Sequence, residues 1–343
     1  MKGHTRRHFL QSSVTLIGAS SLAGCGAPLF ERQPAQPSRV GILSFRMSAD
    51  SAPLLEAFRG GLRDLGYVEG QTIVLEPRFT EGQAARYPEL AAELVRLGVA
   101  AIVAPEPGAI RAAWGASDTV PIVMAGASEI PVERGLIDSL ARPGRNVTGL
   151  AYGTPGLPAK RLQFLTDTVP GLSGVAFIGG EPERVEDNPK VGGVAAAARA
   201  LGLALELVSL RTPTPPDFAP RDVAAVFEDL ARMQVGAFVM DSSALAFNNR
   251  ARVSELAIQH RLPSIWGGSQ FKDAALLTYG ANNLDVWRRT ATHVDKLLKG
   301  ASPADLPVEL PTRFDFTINL QIARALGLTI PDPLLRQATE IVQ

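Results

Sequence analysis

Val120-Pro121-Ile122-Val123-Met124-Ala125-Gly126-Ala127-Ser128 and, in the second half of the chain, Leu262-Pro263-Ser264-Ile265-Trp266-Gly267-Gly268-Ser269 follow one pattern. A proline sits in a short apolar run containing isoleucine, and glycine and serine close it. Short apolar runs bounded by turn residues are the signature of strands buried on both faces, as in a parallel sheet. What precedes the two runs matches as well. In the first half, strands are expected at 39–45, 71–79, 100–104 and 120–124, alternating with helices at 52–65, 87–97 and 108–117. In the second half, strands are expected at 174–180, 203–210, 236–240 and 262–266, with helices at 189–201, 222–233 and 244–260. Gly66 and Gly202 stop the first helix of each half, as glycine does just past a helix end. Regular alternation of strand and helix predicts parallel sheets covered by helices. Its repetition in matched order predicts a duplicated lobe.

The fold class expected is therefore α/β, with two doubly wound parallel-sheet lobes joined by a multi-strand hinge. Residues 143–150 combine turn chemistry with a short extended run and read as the crossing between lobes. Beyond Ser269 come a strand at 275–279, a helix at 284–298, an extended segment at 306–316 and helices at 319–326 and 333–342. These additions imply that the chain crosses more than once. The first lobe is assigned residues 39–149 and 280–310, and the second residues 150–279 and 311–343. Parallel crossings of this kind form a hinge.

The start of the chain reads as an address. Thr5-Arg6-Arg7-His8-Phe9-Leu10 pairs two arginines with apolar residues, residues 14–22 are uncharged and moderately apolar, and Leu22-Ala23-Gly24-Cys25 follows with the chain's one cysteine. The apolar stretch is far shorter than the ~20 residues of a membrane-spanning helix. Residues 1–24 are expected to be a signal peptide and residues 25–38, rich in proline and glutamine, a tether. The pattern is similar to a bacterial twin-arginine signal joined to a lipobox, which implies a lipid on Cys25 and an exported, membrane-anchored protein in the periplasm or cell envelope.

Composition narrows the function. With 46% hydrophobic and 20% charged residues the chain has the balance of a folded protein. Its 34 basic residues equal its 34 acidic ones, and Lys2, Arg6 and Arg7 fall in the leader, so the remainder is mildly acidic. That charge offers no footprint for nucleic acid. One cysteine excludes an intrachain disulfide and a cysteine-based zinc site. Only His260 and His293 lie beyond the leader, both in expected helices and both expected at the surface, so no metal site is assigned. No phosphate loop, dinucleotide fingerprint, nucleophile elbow or zinc-protease motif occurs. No cofactor is expected, and the chain reads as a non-enzyme. A cleft enzyme working with carboxylates stays open as an alternative, as does a ligand-sensing module for a membrane receptor.

In open α/β sheets, ligands sit outside the carboxyl ends of the strands. Candidate ligand contacts from the first lobe are Ser44, Phe45, Arg46, Ser48, Pro105, Glu106, Gly126 and Ser128. Tyr152 stands just past the crossing. From the second lobe come Asp241, Ser242, Trp266, Ser269 and Tyr279. Each has two roles open. Ser48 caps a helix or helps hold an anion. Asp241 pairs with a ligand ammonium or caps the next helix. Arg46 clamps a carboxylate or points to solvent. Phe45, Trp266 and Tyr279 stack on a ligand ring or belong to the core. The mixture suits an amino-acid-like or heterocyclic solute.

Several motifs carry a resemblance. Asn146-Val147-Thr148-Gly149, the stretch from Lys296 through Glu309, and Ile318-Asn319-Leu320 with Ala325-Leu326-Gly327-Leu328-Thr329-Ile330-Pro331 resemble the bacterial ABC-transporter substrate-binding family with tryptophan- and tyrosine-binding members. The resemblance runs from about Arg39 to the C-terminus. It implies a Venus-flytrap, periplasmic-binding-protein-like type I fold, capture of a small solute without catalysis, and a membrane permease with its ATPase as partners. Two loops depart from the family pattern. Ser128-Glu129-Ile130-Pro131 replaces an acidic Asp-Pro, and 46–50 lacks the His-Pro seen in many members.

Overall fold

The computed structural model describes residues 36–45, 52–127, 135–153, 156–179, 189–210, 221–242 and 244–343. Cys25, Arg46, Ser48 and Ser128 fall outside the described residues.

The first lobe is built in strand–helix order: β1 (Ser38–Ser44), α1 (Ala52–Asp64), β2 (Ile73–Phe79), α2 (Tyr87–Arg96), β3 (Ala101–Ala104), α3 (Pro107–Ala116), β4 (Ile122–Ala127) and β5 (Val147–Ala151). Its sheet is parallel throughout, in the order β2-β1-β3-β4-β5. Every residue of β3, β4 and β5 is buried, and β3 and β4 accordingly read as continuous apolar runs rather than alternating ones. Helix α1 buries Leu55, Phe58 and Leu62, spaced to form one face.

The second lobe runs α4 (Leu157–Thr168), β6 (Gly174–Gly179), α5 (Pro189–Ala200), β7 (Ala204–Ser209), α6 (Val223–Met233), β8 (Ala237–Met240), α7 (Ala244–Asn248), α8 (Arg250–Gln259), β9 (Ser264–Trp266) and β10 (Leu277–Ala281). The chain then returns to the first lobe as α9 (Asn283–Leu298) before β11 (Phe314–Asn319), α10 (Leu320–Leu326), α11 (Asp332–Leu335) and β12 (Glu340–Val342). The second sheet is ordered β12-β11-β10-β9-β8-β6-β7. Its parallel part, β7-β6-β8-β9-β10, repeats the first sheet's order β2-β1-β3-β4-β5 strand for strand. Strand β11 adds antiparallel to β10, and β12 pairs parallel with β11.

The crossings share one geometry. The chain leaves the first sheet at the carboxyl end of β5, leaves the second at the carboxyl end of β10, and re-enters the second at the start of antiparallel β11, level with that end. All three connections therefore join carboxyl edge to carboxyl edge. A small apolar cluster of Leu150, Ala281 and Val286, with Tyr152 and Phe314 packed against it, holds them together.

Helix α9 lies against α1 and β4. Gly61 makes that approach possible. A Cβ there would stand 2.8 Å from the Cβ of Ala291, and closer still to the carbonyl oxygen of Arg288.

Four local expectations are corrected. The run 147–150 is not the crossing but most of β5, an edge strand of the first sheet, and the crossing begins at Tyr152. The helix expected over 244–260 is broken at Asn249, whose side-chain amide donates to the Leu245 carbonyl (2.8 Å). The helix expected over 333–342 gives way after α11. The Thr339 hydroxyl accepts from the Phe316 amide (2.9 Å) and donates to the Phe316 carbonyl (3.0 Å), tying the chain to β11 so that Ile341 pairs with Ile318. Sheet pairing here overrides local helix propensity.

The fourth correction concerns His293, which is buried (1% exposed) rather than at the surface. Its Nε2 faces the Pro307 carbonyl at 3.2 Å and Glu309 at 3.9 Å, with Arg289 and Lys296 on its own helix nearby. Burial depresses the imidazole pKa below its ordinary 6.5, against the raising influence of Pro307 and Glu309. A depressed folded-state pKa contributes stability above the unfolded value and loses it as pH falls through the folded one. The urea midpoint should accordingly drop as pH is lowered from 7 towards 5, and His293→Leu should flatten that drop. An unchanged slope in the variant would assign the acid sensitivity elsewhere.

Candidate functional site

In a sheet ordered 2-1-3-4-5, the chain winds in opposite senses from the first strand. The crevice between the carboxyl ends of strands one and three is where ligands bind in such sheets. In the first lobe Ser44 ends β1 and Glu106 follows β3, and they meet across this crevice. The Ser44 hydroxyl donates to Glu106 Oε1 (2.7 Å), the Phe45 amide donates to the same oxygen (3.4 Å), and the Tyr87 hydroxyl donates to Oε2 (3.4 Å). Glu106 also precedes α3, where a carboxylate sits well against the helix's positive end. Burial nevertheless raises its pKa, against the lowering effect of these donors. Burial and the adjacent Glu106 likewise push the Tyr87 phenol up. Phe45 lies half-buried against the Tyr87 ring (centroids 6.5 Å). Pro105 is half-buried between β3 and Glu106.

The equivalent crevice of the second lobe lies between β6 and β8. Asp241 stands there, half-buried, with its amide donating to the Ile178 carbonyl (3.0 Å). Ser242 donates from Oγ to the Gly267 carbonyl (2.7 Å). Glu106 and Asp241 thus occupy matching places in the two lobes, each just past the third strand of its sheet.

A polar chain links the hinge to the second lobe. The Tyr152 hydroxyl donates to Asn283 Oδ1 (2.7 Å), and Asn283 Nδ2 donates to Gln270 Oε1 (3.0 Å). Gln270 packs on Gly268, whose φ of +114° suits only glycine. Ser269, half-buried, opens the helical turn that carries Gln270. Gly126 has φ +91°, and a Cβ there would stand 2.5 Å from Tyr152 Oη, so this glycine makes room for the tyrosine.

Two aromatic candidates sit differently from one another. Trp266 is fully buried in the second lobe's core against Phe271 (5.0 Å), with its indole N–H donated to Ser264 Oγ (3.0 Å). Of its two possible roles, the structure assigns it the core one. Tyr279 is half-buried, its ring edge-on to Phe164 (5.1 Å) and stacked on Phe314 (5.9 Å).

Its carbonyl leads to a residue the sequence reading missed. Arg161, in the second turn of α4, donates from Nε to the Tyr279 oxygen (2.8 Å). Helix α4 runs back from the carboxyl edge, so its early turns lie at the site. A Cβ on Gly267 would stand 2.7 Å from Arg161 Nη2 and 2.6 Å from Ser242 Oγ. Burial lowers the guanidinium pKa to about 10. Tyr87, Gln270 and Asn283 were also missed. The Gly267-Gly268 pair, which opens space at a strand end, was the sequence signal available for Arg161.

Among the described residues, no three His, Cys, Asp or Glu side chains are grouped to hold a metal ion. None of the described helices is long and apolar enough to cross a membrane.

Comparison with known proteins agrees with this architecture. The family model described as ABC transporter substrate binding protein matches residues 43–342. A tyrosine-binding protein of Clostridioides difficile is 29% identical over 144 residues, spanning 39% of this chain and 41% of that protein. The chain thus aligns with less than half the length of this relative. An ABC domain from Streptococcus pneumonia solved in complex with L-Trp superposes with a TM-score of 0.78 at 21% identity, covering 89% of this chain and 100% of that one. A ligand-free, open substrate-binding protein with adhesive properties from Clostridium difficile superposes with a TM-score of 0.71 at 20% identity, covering 89% and 99%.

Proposed function

The chain belongs to the ABC transporter substrate binding protein family, and on that premise we propose that it captures an amino-acid-like or heterocyclic solute between its two lobes and passes it to a membrane permease driven by an ATPase. The observation that carries this reading is the pair of sheets with matching strand order, joined carboxyl edge to carboxyl edge by three crossings. Such a linkage brings the two ligand-binding edges of an open α/β sheet to one cleft and lets them close on what lies between. Closure buries the solute and produces the shape a permease distinguishes from the empty form.

The residues offered to the solute are Ser44, Phe45, Glu106 and Tyr152 on one side. On the other are Asp241, Ser242, Ser269 and Tyr279. Asp241 takes a ligand ammonium in this reading. Amino-acid recognition draws support from the tyrosine-binding relative and the L-Trp-bound structure. The protein works as a binder and releases its solute unchanged. It operates outside the cytoplasm, exported through its twin-arginine leader and tethered by a lipid on Cys25. Cys25→Ser should move it from the membrane fraction to the soluble fraction of the cell envelope; retention in the membrane would remove the lipid from this account.

Binding is tested by thermal denaturation of the purified protein with amino acids, aromatic acids, purines and sugars. A solute at 100 times its Kd stabilises by about 2.7 kcal/mol, a rise of several degrees. A solute recovered intact after a clear shift supports capture. A solute consumed during incubation overturns it in favour of an enzyme.

A further inference from the structure

We infer that Arg161 is the anchor for a carboxylate on the bound solute, so that the protein takes carboxylate-bearing small molecules and not neutral sugars or purines; this rests on the proposed capture of a solute between the lobes.

The first support is an unbalanced charge. Burying a cation costs less where it meets a carboxylate, as Arg221 does with Asp229 and Arg289 with Glu309. Arg161 meets none: among the described residues no carboxylate lies within ion-pair distance, and its one hydrogen bond runs from Nε to a backbone carbonyl. A half-buried cation without a counter-ion is expensive, and evolution retains one where a ligand supplies the missing charge.

Geometry supplies the second support. The Tyr279 carbonyl fixes the plane of the guanidinium through Nε, leaving Nη1 and Nη2 unbonded. Neither nitrogen is among the sealed, partnerless atoms of the described residues, which are Thr278 Oγ1, His293 Nδ1 and Thr317 Oγ1. The two free nitrogens therefore keep access to solvent from a fixed position, which is what bidentate recognition of a carboxylate requires. The third support is the clearance at Gly267, where any side chain would collide with Nη2 and with Ser242 Oγ. The lowered guanidinium pKa still leaves the group charged at neutral pH.

The site lies at the carboxyl edge of the second sheet, between the ends of β9 and β10 and the start of α4. An acidic solute bound there closes the charge balance on entering. Amino acids and simple organic acids share this chemistry, and the assay separates them by their amino group.

The test measures affinity of the purified full chain for the twenty common L-amino acids, their carboxamides, their deaminated acids, and neutral sugars and purines. Acids should bind at least 100-fold more tightly than their amides. Equal binding of an amino acid and its deaminated acid would assign the ligand to organic acids at large; loss on deamination assigns it to amino acids. Both outcomes support the anchor. Arg161→Gln should erase the acid-over-amide preference while leaving the melting temperature of the free protein unchanged or higher. Arg161→Lys, which keeps the charge without the fork, should recover only part of it. Gly267→Ala, acceptable to the backbone, should cost about tenfold in acid affinity by displacing the fork. A neutral solute as the one hit overturns the anchor and leaves solute capture standing. No hit in any class removes solute capture of these compounds and the anchor with it. Equal losses for acid and amide in Arg161→Gln, with a lowered melting temperature, would reduce Arg161 to a structural brace.

Discussion

Gly149→Ala is expected to cost the protein about 4 kcal/mol or more, about a quarter or more of the stability of an ordinary domain. Two effects act at once. Gly149 sits mid-strand in fully buried β5 with φ +115°, a region that side chains rarely enter. A Cβ there would also stand 2.5 Å from the Met124 amide nitrogen, with the Met124 carbonyl oxygen closer still. Both atoms are backbone in the neighbouring strand β4, so no rotamer change relieves the clash. The damage would spread towards the site, because Gly126, next to the end of β4, accommodates Tyr152. Gly66→Ala is the control. Gly66 has φ +89° with open space around it, so its alanine variant carries the backbone strain alone, about 1 kcal/mol. The urea midpoints of the two variants, measured beside the parent, separate clash from strain. A Gly149→Ala loss no larger than that of Gly66→Ala would show that β4 and β5 are not packed as described.

Much of the architecture is legible in the residues because parallel strands buried on both faces leave an unmistakable trace. The runs at 120–124 and 262–266 could be found without any structure, as could their repetition. The order β7-β6-β8-β9-β10 against β2-β1-β3-β4-β5 gives that repetition its three-dimensional form. The errors came where long-range pairing decides the outcome. Nothing near 340–342 announces a strand, since its partner is β11 and the tie is Thr339 on Phe316. His293 lies on a helix that is polar by sequence but is covered by the returning segment around Pro307.

The site divides in the same way. Ser44 and Glu106 follow directly from the rule about strand ends, and the structure joins them by a hydrogen bond. Arg161 does not follow from it. It lies in a helix, and the backbone oxygen that orients it comes from a residue 118 positions later. A rule that looks only past strand ends is blind to side chains delivered by the helix that starts at the same edge.

Trp266 shows the opposite failure of that rule, and its replacement is the sharper experiment. The residue ends a strand, so position alone offers it to a ligand. Its surroundings point the other way: the side chain has no exposed surface, packs beside Phe271, and spends its one donor on Ser264. Trp266→Ala would leave a cavity the size of an indole in the second lobe's core and is expected to cost about 3–5 kcal/mol. Trp266→Phe should keep much of the packing but lose the bond to the buried Ser264 hydroxyl, costing about 1–3 kcal/mol. In the phenylalanine variant, which should remain folded, affinity for a solute that stabilises the parent should stay within about threefold. A ligand-stacking tryptophan makes the reverse prediction, with affinity collapsing while the denaturation midpoint of the free protein barely moves. The pairing of the two readouts matters because Gly267, the next residue, is the one that leaves room for Arg161. A core that has merely loosened would blur the acid-over-amide preference in proportion to the stability lost. A ring removed from the ligand itself would lower acid and amide affinity together and leave that preference intact.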